Sequence, residues 1–349
     1  MTAGNRVRVL IVDDSVLVRA VLTRGLGADP GIEVVGAARD PYEARDLLVK
    51  LRPDVMTLDV EMPRMDGVTF LRRVMAVLPT PTVVLSSLTT SGSSLAVQAL
   101  AAGAIDVVAK PAADVASALD AMMARLIAVV KAAARARVAA VGPPPAVLDA
   151  HPPAALDQTT DQVIGLGAST GGVAALGRIL PMFPAWTPGV VIVQHMPPGF
   201  TADFAKRLDA VCAMRVAEAV DGDRVLPGHV LVAPGGECHL EAHRVGGQYR
   251  IKLIARGLVT GHCPSVDVFF HSLAHHVGKN ATACLLTGMG ADGADGLAAM
   301  RAAGAHTFAQ DRATCAVWGM PAAAAERGAA ERLVPLTDVP TTLLRALAG

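Results

Sequence analysis

Short apolar runs alternate with helix-patterned stretches through the first third of the chain. Arg8–Val12 is apolar after its first residue and stops at Asp13-Asp14-Ser15; Val16, Val18, Val21 and Leu22 then recur at helical spacing. The same alternation predicts strands over Glu33–Ala37, Val55–Leu58, Thr82–Leu85 and Asp106–Val108. Between them it predicts helices over Tyr42–Lys50, Gly67–Val77 and Leu95–Ala102, with a last helix starting near Val115. Strands and helices that alternate at this spacing build βαβ units and a parallel sheet. Strands this continuously apolar belong to a sheet covered on both faces.

From about Lys131 the chain turns Ala- and Arg-rich, then Pro-rich, with Gly142–Pro145 and Pro152-Pro153. This predicts a domain boundary and a semi-rigid linker in which the prolines act as spacers. The second half opens with strand Gln162–Leu166, the turn Gly167-Ala-Ser-Thr-Gly-Gly172, a helix, and strand Val190–Val193 ending at Gln194-His195. Val230–Val232, Cys238–Ala242 and Tyr249–Ile254, the last two flanking Gly246-Gly247, read as antiparallel hairpins. Helical character returns over Val266–Val277, and strand Ala283–Leu286 leads into Gly288–Gly293. The expected whole is an α/β protein of two domains without internal repeats.

Composition supports two packed cores: of 349 residues, 52% are hydrophobic and 18% charged. Lys plus Arg equal Asp plus Glu at 31 each, so nothing in the balance attracts nucleic acid or anionic lipid. The five cysteines are odd in number, widely spaced and lack a C-x-x-C pair, which predicts reduced and mostly buried thiols. Val74–Ile105 carries no charge, but Pro79, Pro81, Gly92 and Gly103 interrupt it, so it is not read as a membrane span. With no basic leader at the N-terminus, the expectation is a cytoplasmic protein without membrane insertion.

Chemistry concentrates at the carboxyl ends of predicted strands, where open α/β sheets bind ligands. Asp13 and Asp14 follow the first strand, Asp59 the third, Ser86 the fourth and Lys110 the fifth. Each alone reads as a loop residue or helix cap; their joint placement does not. Three carboxylates repel unless a hard cation such as Mg²⁺ neutralises them. Lys110 and Ser86 offer the point charge and the donor that a phosphoryl group on Asp59 needs. Residues 7–125 resemble a response-regulator receiver domain, through Thr57-Leu-Asp-Val-Glu-Met-Pro-Arg-Met-Asp-Gly67 above all. The resemblance implies a flavodoxin-like fold and phosphorylation of Asp59 by a histidine kinase, with Asp13, Asp14 and Asp59 around Mg²⁺. Val107 stands where many receivers carry an aromatic.

In the second half, Gly167-Ala-Ser169-Thr-Gly171 matches G-x-S-x-G between a strand and a helix. A dinucleotide-binding reading of Gly165-x-Gly167 is weaker. Thr170 occupies the third glycine position, and no acid occurs between Asp161 and Asp203. A serine nucleophile needs a base and an orienting acid. His195 closes the next strand and Asp292 lies in a Gly-rich loop after a later one, in the order Ser, His, Asp; an α/β-hydrolase runs Ser, Asp, His. Backbone N–H groups near Thr170 and Met289 are the expected oxyanion donors. His262 opens a loop that is expected to line the substrate groove, with a satisfied structural histidine as the alternative. The pairs His271/His275 and His239/His243 have i, i+4 spacing but lack the Glu of H-E-x-x-H, so structural histidines are the preferred reading.

Residues 162 to about 345 resemble the catalytic domain of chemotaxis protein-glutamate methylesterases. The carrying motifs are Gly165–Gly172, Val193–Pro197, Asp221-Gly222, Ala233–Gly235, Pro264–Asp267, Leu286–Gly293 and Gly319–Pro321. The resemblance implies a Rossmann-like, doubly wound domain with Ser169, His195 and Asp292 as catalytic residues and no cofactor in the esterase site. It further implies a phosphorylation-activated hydrolase, acting on glutamate methyl esters and certain glutamines of methyl-accepting chemoreceptors, and a monomer. The expected division is a receiver over 5–125, a linker over 126–160 and a hydrolase over 161–349. The alternative is a receiver fused to a non-catalytic, degenerate hydrolase domain. Two departures stand out: an extra residue between Gly236 and His239, and Val259-Thr-Gly-His262 in place of the usual Val-Asn-Arg-His. Both are expected to bear on substrate contacts and to leave the triad untouched.

Overall fold

A computed structural model describes residues 6–62, 65–111, 116–136, 147–148 and 161–348. The chain divides into two compact units, 1–142 and 143–349. The first is built from β1 (Val7–Val12), α1 (Val16–Gly27), β2 (Ile32–Ala38), α2 (Pro41–Leu51), β3 (Val55–Asp59), α3 (Gly67–Val77), β4 (Thr82–Ser86), α4 (Thr90–Ala101), β5 (Asp106–Ala109) and α5 (Ala116–Ala133). The strands form a sheet in the order β2-β1-β3-β4-β5, with every neighbouring pair parallel. The order reverses between β1 and β3, and a crevice opens there beyond their carboxyl ends.

Local chemistry sets the helix starts. Ser15, Asp40, Asp66 and Thr89 each turn a side-chain oxygen onto a first-turn N–H, of α1, α2, α3 and α4 respectively. The Thr89 cap draws Thr90–Ser94 into α4, a Ser/Thr-rich stretch that sequence pattern alone leaves outside the helix. Helix α5 runs on to Ala133, past the expected linker start at 126, because Leu126, Val129, Val130 and Ala133 are buried against Val9, Ile11 and Leu22. The Pro-rich runs of the linker, and Val115, lie outside the described residues. The uncharged stretch Val74–Ile105 is divided among the end of α3, β4 and α4, and no described helix is long and apolar enough to cross a membrane.

The second unit follows as β6 (Val163–Ala168), α6 (Gly172–Ile179), β7 (Gly189–Gln194), α7 (Phe200–Asp209), β8 (Arg215–Glu218), β9 (His229–Val232), β10 (Cys238–Val245) and β11 (Gln248–Ala255). Then come α8 (Val266–His276), β12 (Ala281–Leu285), α9 (Ala294–Ala302), β13 (His306–Gln310), α10 (Met320–Glu326), β14 (Arg332–Val334) and α11 (Val339–Ala348). Seven strands form a sheet in the order β14-β13-β12-β6-β7-β9-β8, with all pairings parallel. The antiparallel element is the hairpin β10–β11, turned by Gly246 and Gly247 at φ 56° and 80°. Val230–Val232 is therefore no hairpin strand. It pairs parallel with β7 and β8 and is buried on both faces, which its unbroken apolar run fits better than an alternating hairpin pattern. Cys284 and Cys315 are buried, the other three thiols are half-buried, and all five are unpaired. The chain switches from one side of β6 to the other between β7 and β12, so the crevice of this unit opens at the carboxyl end of β6.

Candidate active site and phosphoacceptor site

In the first unit Asp13 and Asp59 are buried and Asp14 is exposed, with one carboxylate oxygen from each within 4.8 Å of the others. Lys110, at the end of β5, places Nζ 3.0 Å from Asp13 Oδ2 and 2.6 Å from Asp59 Oδ2. Burial raises the Asp59 carboxyl above its ordinary value, and Lys110 offsets this only in part. Burial would lower the Lys110 ammonium, but Asp59 and Asp13 outweigh it and raise it. The cluster thus gathers more negative charge than one lysine balances, a donor set that suits a hard dication. Ser86 is fully buried and its hydroxyl donates to Gly92 O at 2.8 Å, inside α4. The hydroxyl expected to donate to a phosphoryl group is thus hydrogen-bonded within its own loop and helix in this conformation. Val107 is buried in β5.

In the second unit the nucleophile candidate Ser169 directly follows β6 and the base candidate His195 directly follows the adjacent β7. The two ends are joined by His195 N–H donating to Ala168 O at 3.1 Å. Gln194 binds both main chains: its amide donates to Ser169 O at 2.9 Å and to His195 O at 3.1 Å. Gly172 allows this, since a Cβ there would lie 2.0 Å from Gln194 Oε1. His195 Nε2 lies 2.8 Å from Asp292 Oδ2, while Nδ1 is buried without a hydrogen-bond partner. Beside an anionic carboxylate, Nε2 carries the proton and Nδ1 keeps the lone pair. Nδ1 is therefore the nitrogen with a lone pair available to accept a proton.

Asp292 is 2% exposed and accepts from five donors. Its Oδ2 takes His195 and Val266 N–H (2.7 Å); its Oδ1 takes the hydroxyls of Thr260 (2.5 Å) and Ser265 (2.7 Å) and Asp267 N–H (3.2 Å). Burial pushes this carboxyl up, but the bonds from His195, Thr260 and Ser265 win and hold it well below the usual carboxylate range. Its place at the N-terminus of α8 favours the anion further. Sequence reasoning expected the Val259–His262 departure to leave the triad untouched. The structure overturns this, because Thr260 bonds the candidate acid directly. His262, expected to line the groove, stacks on the His195 ring at 3.8 Å with 9° between planes. The segment with the extra residue leads into His239, whose Nδ1 accepts from the N–H of Ser265, the residue whose hydroxyl holds Asp292. His239 Nε2 faces Gly257 O at 3.0 Å, so this histidine is structural, and His271 is exposed on α8.

Residues 164–343 match the family model described as CheB methylesterase, and residues 9–121 match that of the response regulator receiver domain. The chain belongs to the CheB methylesterase family. It is 55% identical over 338 residues to a protein-glutamate methylesterase/protein-glutamine glutaminase of Syntrophotalea carbinolica, with 96% of each chain covered. It is 53% identical over 344 residues to another so named from Cereibacter sphaeroides, covering 99% of this chain and 93% of that one. The solved CheB methylesterase catalytic domain of Thermotoga maritima matches with a TM-score of 0.52 and 37% identity, covering 53% of this chain and 97% of that one.

Within this CheB-type unit, the loop after β12 is tied on both sides of the crevice. Ser169 N–H donates to Thr287 O (3.0 Å), Gly288 N–H to Val317 O (3.2 Å) and Met320 N–H to Gly288 O (2.9 Å). Thr287 N–H in turn donates to the Gln310 side chain at 2.9 Å. The motif Gly319-Met-Pro321 therefore acts as a brace for the Gly288–Gly293 loop. Thr170 is buried, and its carbonyl accepts from Thr287 Oγ1 at 3.0 Å. Gln194, Ser265, Thr287 and Gln310 were assigned no role from sequence, although the first three lie within the motifs that carry the resemblance.

Asp267 offers a pH test of these electrostatics. Burial first, then the neighbouring Asp292 charge, push its carboxyl up to about 6. The native state thus holds a proton that the unfolded chain, with an ordinary pKa of about 3.9, has lost, and stability falls as pH rises from about 4 to 6. Asn at this position keeps an oxygen for Gly296 N–H, now 2.8 Å from Asp267 Oδ1. Asp267→Asn is expected to be more stable than wild type above pH 6 by roughly 1–3 kcal/mol, with the gap closing below about pH 4. Both tryptophans, Trp186 and Trp318, lie in this unit, so their fluorescence during urea unfolding reads it directly. A gap that does not change with pH refutes the assignment.

Proposed function

We propose that this chain is a phosphorylation-activated protein-glutamate methylesterase and protein-glutamine glutaminase acting on methyl-accepting chemoreceptors. The observation that carries the reading is the His195–Asp292 pair, held at 2.8 Å beside Ser169 with the second imidazole nitrogen unpartnered. His195 Nδ1 takes the Ser169 proton as Oγ attacks the ester carbonyl. Asp292 stabilises the imidazolium through Nε2–H. The tetrahedral oxyanion is received by main-chain N–H groups at the crevice, with Met289 as the principal donor. The braced loop and the engagement of the Ser169 and Gly288 N–H groups elsewhere support that choice. Methanol leaves with the proton from His195, and water then releases glutamate from the acyl-enzyme by the same steps. Deamidation of glutamine follows the same course with ammonia leaving.

In the receiver unit, Asp59 accepts the phosphoryl group from a histidine kinase. Asp13, Asp14 and Asp59 would hold Mg²⁺, which supplies charge neutralisation to the phosphoryl oxygens. Lys110 pairs with the acceptor, and Ser86 exchanges its Gly92 contact for a phosphoryl oxygen. The receiver, with its last helix carried on to Ala133, and the hydrolase (161–349) share one chain through the linker, so charge on Asp59 acts on a hydrolase in the same chain.

The test is methanol release from methylated receptor membranes, with and without a small-molecule phosphodonor. The phosphodonor is expected to raise turnover at least fivefold, the low end of ordinary coupling free energies. Asp59→Asn is expected to remove that rise and leave the basal rate. Equal stimulation of the Asn variant would refute the phosphoacceptor role, and absence of methanol release under both conditions would refute the esterase role.

A further inference from the structure

One turn touches both halves of the His195–Asp292 pair. Val259 and His262 exchange both backbone hydrogen bonds, at 3.0 and 2.9 Å, which closes a two-residue turn over Thr260 and Gly261. Both central residues are left-handed, with φ 52° at Thr260 and 82° at Gly261. Gly261 adopts this region without strain, but a β-branched threonine does not. Only Arg52 shares a positive φ with Thr260 among the described non-glycine residues. A strained residue at a functional site calls for a compensating contact. Thr260 has one: its Oγ1 lies 2.5 Å from Asp292 Oδ1 and 2.7 Å from its neighbour's carbonyl, Val259 O. The hydroxyl has a single proton, and the carboxylate is the stronger acceptor.

We propose that Thr260 is a positioning residue for hydrolysis, an inference that rests on the methylesterase reading above. Three of the other four donors to Asp292 come from Ser265, Val266 and Asp267 at the start of α8, and the fourth is His195 itself. Thr260 therefore holds the carboxylate from outside the helix. It fixes Oδ1, and with it the plane that keeps Oδ2 on His195 Nε2. The same turn lays His262 flat on the His195 ring at 3.8 Å. The turn thus spends backbone strain to fix the acid and the base together.

Thr260→Gly separates this role from a purely structural one. Glycine suits the left-handed turn better than threonine, so a structural role predicts a neutral or improved protein. A positioning role predicts lost turnover in a protein of undiminished stability. The experiment measures methanol release by the full chain with phosphodonor, alongside tryptophan-detected urea unfolding. Thr260→Gly is expected to lower kcat roughly tenfold, about 1.4 kcal/mol. KM should stay within about twofold and the unfolding midpoint should equal or exceed wild type. Thr260→Ser, which keeps the hydroxyl, should retain kcat within about twofold. Wild-type kcat in the Gly variant overturns the proposal, as does a lowered midpoint in it or an equal loss in the Ser variant. If wild type itself releases no methanol, the methylesterase reading fails and this inference with it. Release by wild type and by Thr260→Gly alike sinks the inference alone.

Discussion

Replacing Ser169 with alanine is expected to cut methanol release by at least roughly 10⁴-fold, in the presence or absence of phosphodonor. The substitution removes one oxygen and little else. Ser169 N–H still donates to Thr287 O, and its carbonyl still accepts from Gly172 N–H at 2.7 Å and from the Gln194 amide. The Cβ against which Gly288 packs is retained, so the turn keeps its shape. Receptor binding and the oxyanion donors also survive, which leaves a small residual rate over uncatalysed hydrolysis. The check is single-turnover methanol release with tryptophan-detected unfolding as a control. A Ser169→Ala chain of unchanged stability that turns over within tenfold of wild type would mean that another group attacks the ester.

The reach of sequence reasoning follows the range of the interactions involved. Strand ends were legible because unbroken apolar runs stop at polar residues, and Asp13, Asp59, Lys110, Ser169 and His195 all lie at or just beyond such stops. The chain order of the candidates Ser169, His195 and Asp292 was legible too, and the sheet brings their strands side by side. Asp292 arrives from β12 on one side of β6, and His195 from β7 on the other. Side-chain partners that meet only through tertiary folding left no local pattern. Thr260 was expected to bear on substrate contacts and Ser265 was given no role of its own, and both hold the acid. His262 looked like a groove residue and stacks on the base. Val230–Val232 was misread because a four-residue apolar strand carries no period to tell parallel from antiparallel pairing. The buried hydroxyl of Ser86 shows the limit of a strand-end argument, which gives position but not the direction of a proton.

The acid of the pair should prove nearly as indispensable as the nucleophile. Asp292→Asn is expected to lower kcat by roughly 10⁴-fold, about 5.5 kcal/mol. Every group around this carboxylate donates, and an amide has only one accepting atom. With its nitrogen on the Oδ2 side, Asn meets Val266 N–H and turns a donor toward His195. The imidazole answers by moving its proton to Nδ1, the nitrogen that must receive the Ser169 proton. With its nitrogen on the Oδ1 side, Asn faces the hydroxyls of Thr260 and Ser265 and Asp267 N–H, and a buried donor loses its acceptor. Either arrangement also destabilises the fold by about 1–3 kcal/mol at neutral pH. The pH dependence supplies an independent check. The Asp292 carboxyl is depressed in the native state, so its stabilisation is present above the unfolded carboxylate pKa of about 3.9 and is lost as pH falls below it. Asn cannot titrate, so the stability gap between wild type and variant should narrow from pH 7 to pH 3 in tryptophan-detected unfolding. A variant that keeps more than about a tenth of wild-type kcat would remove Asp292 from the mechanism. A gap constant with pH would instead show that its carboxylate is not the anion holding the α8 terminus and His195 together.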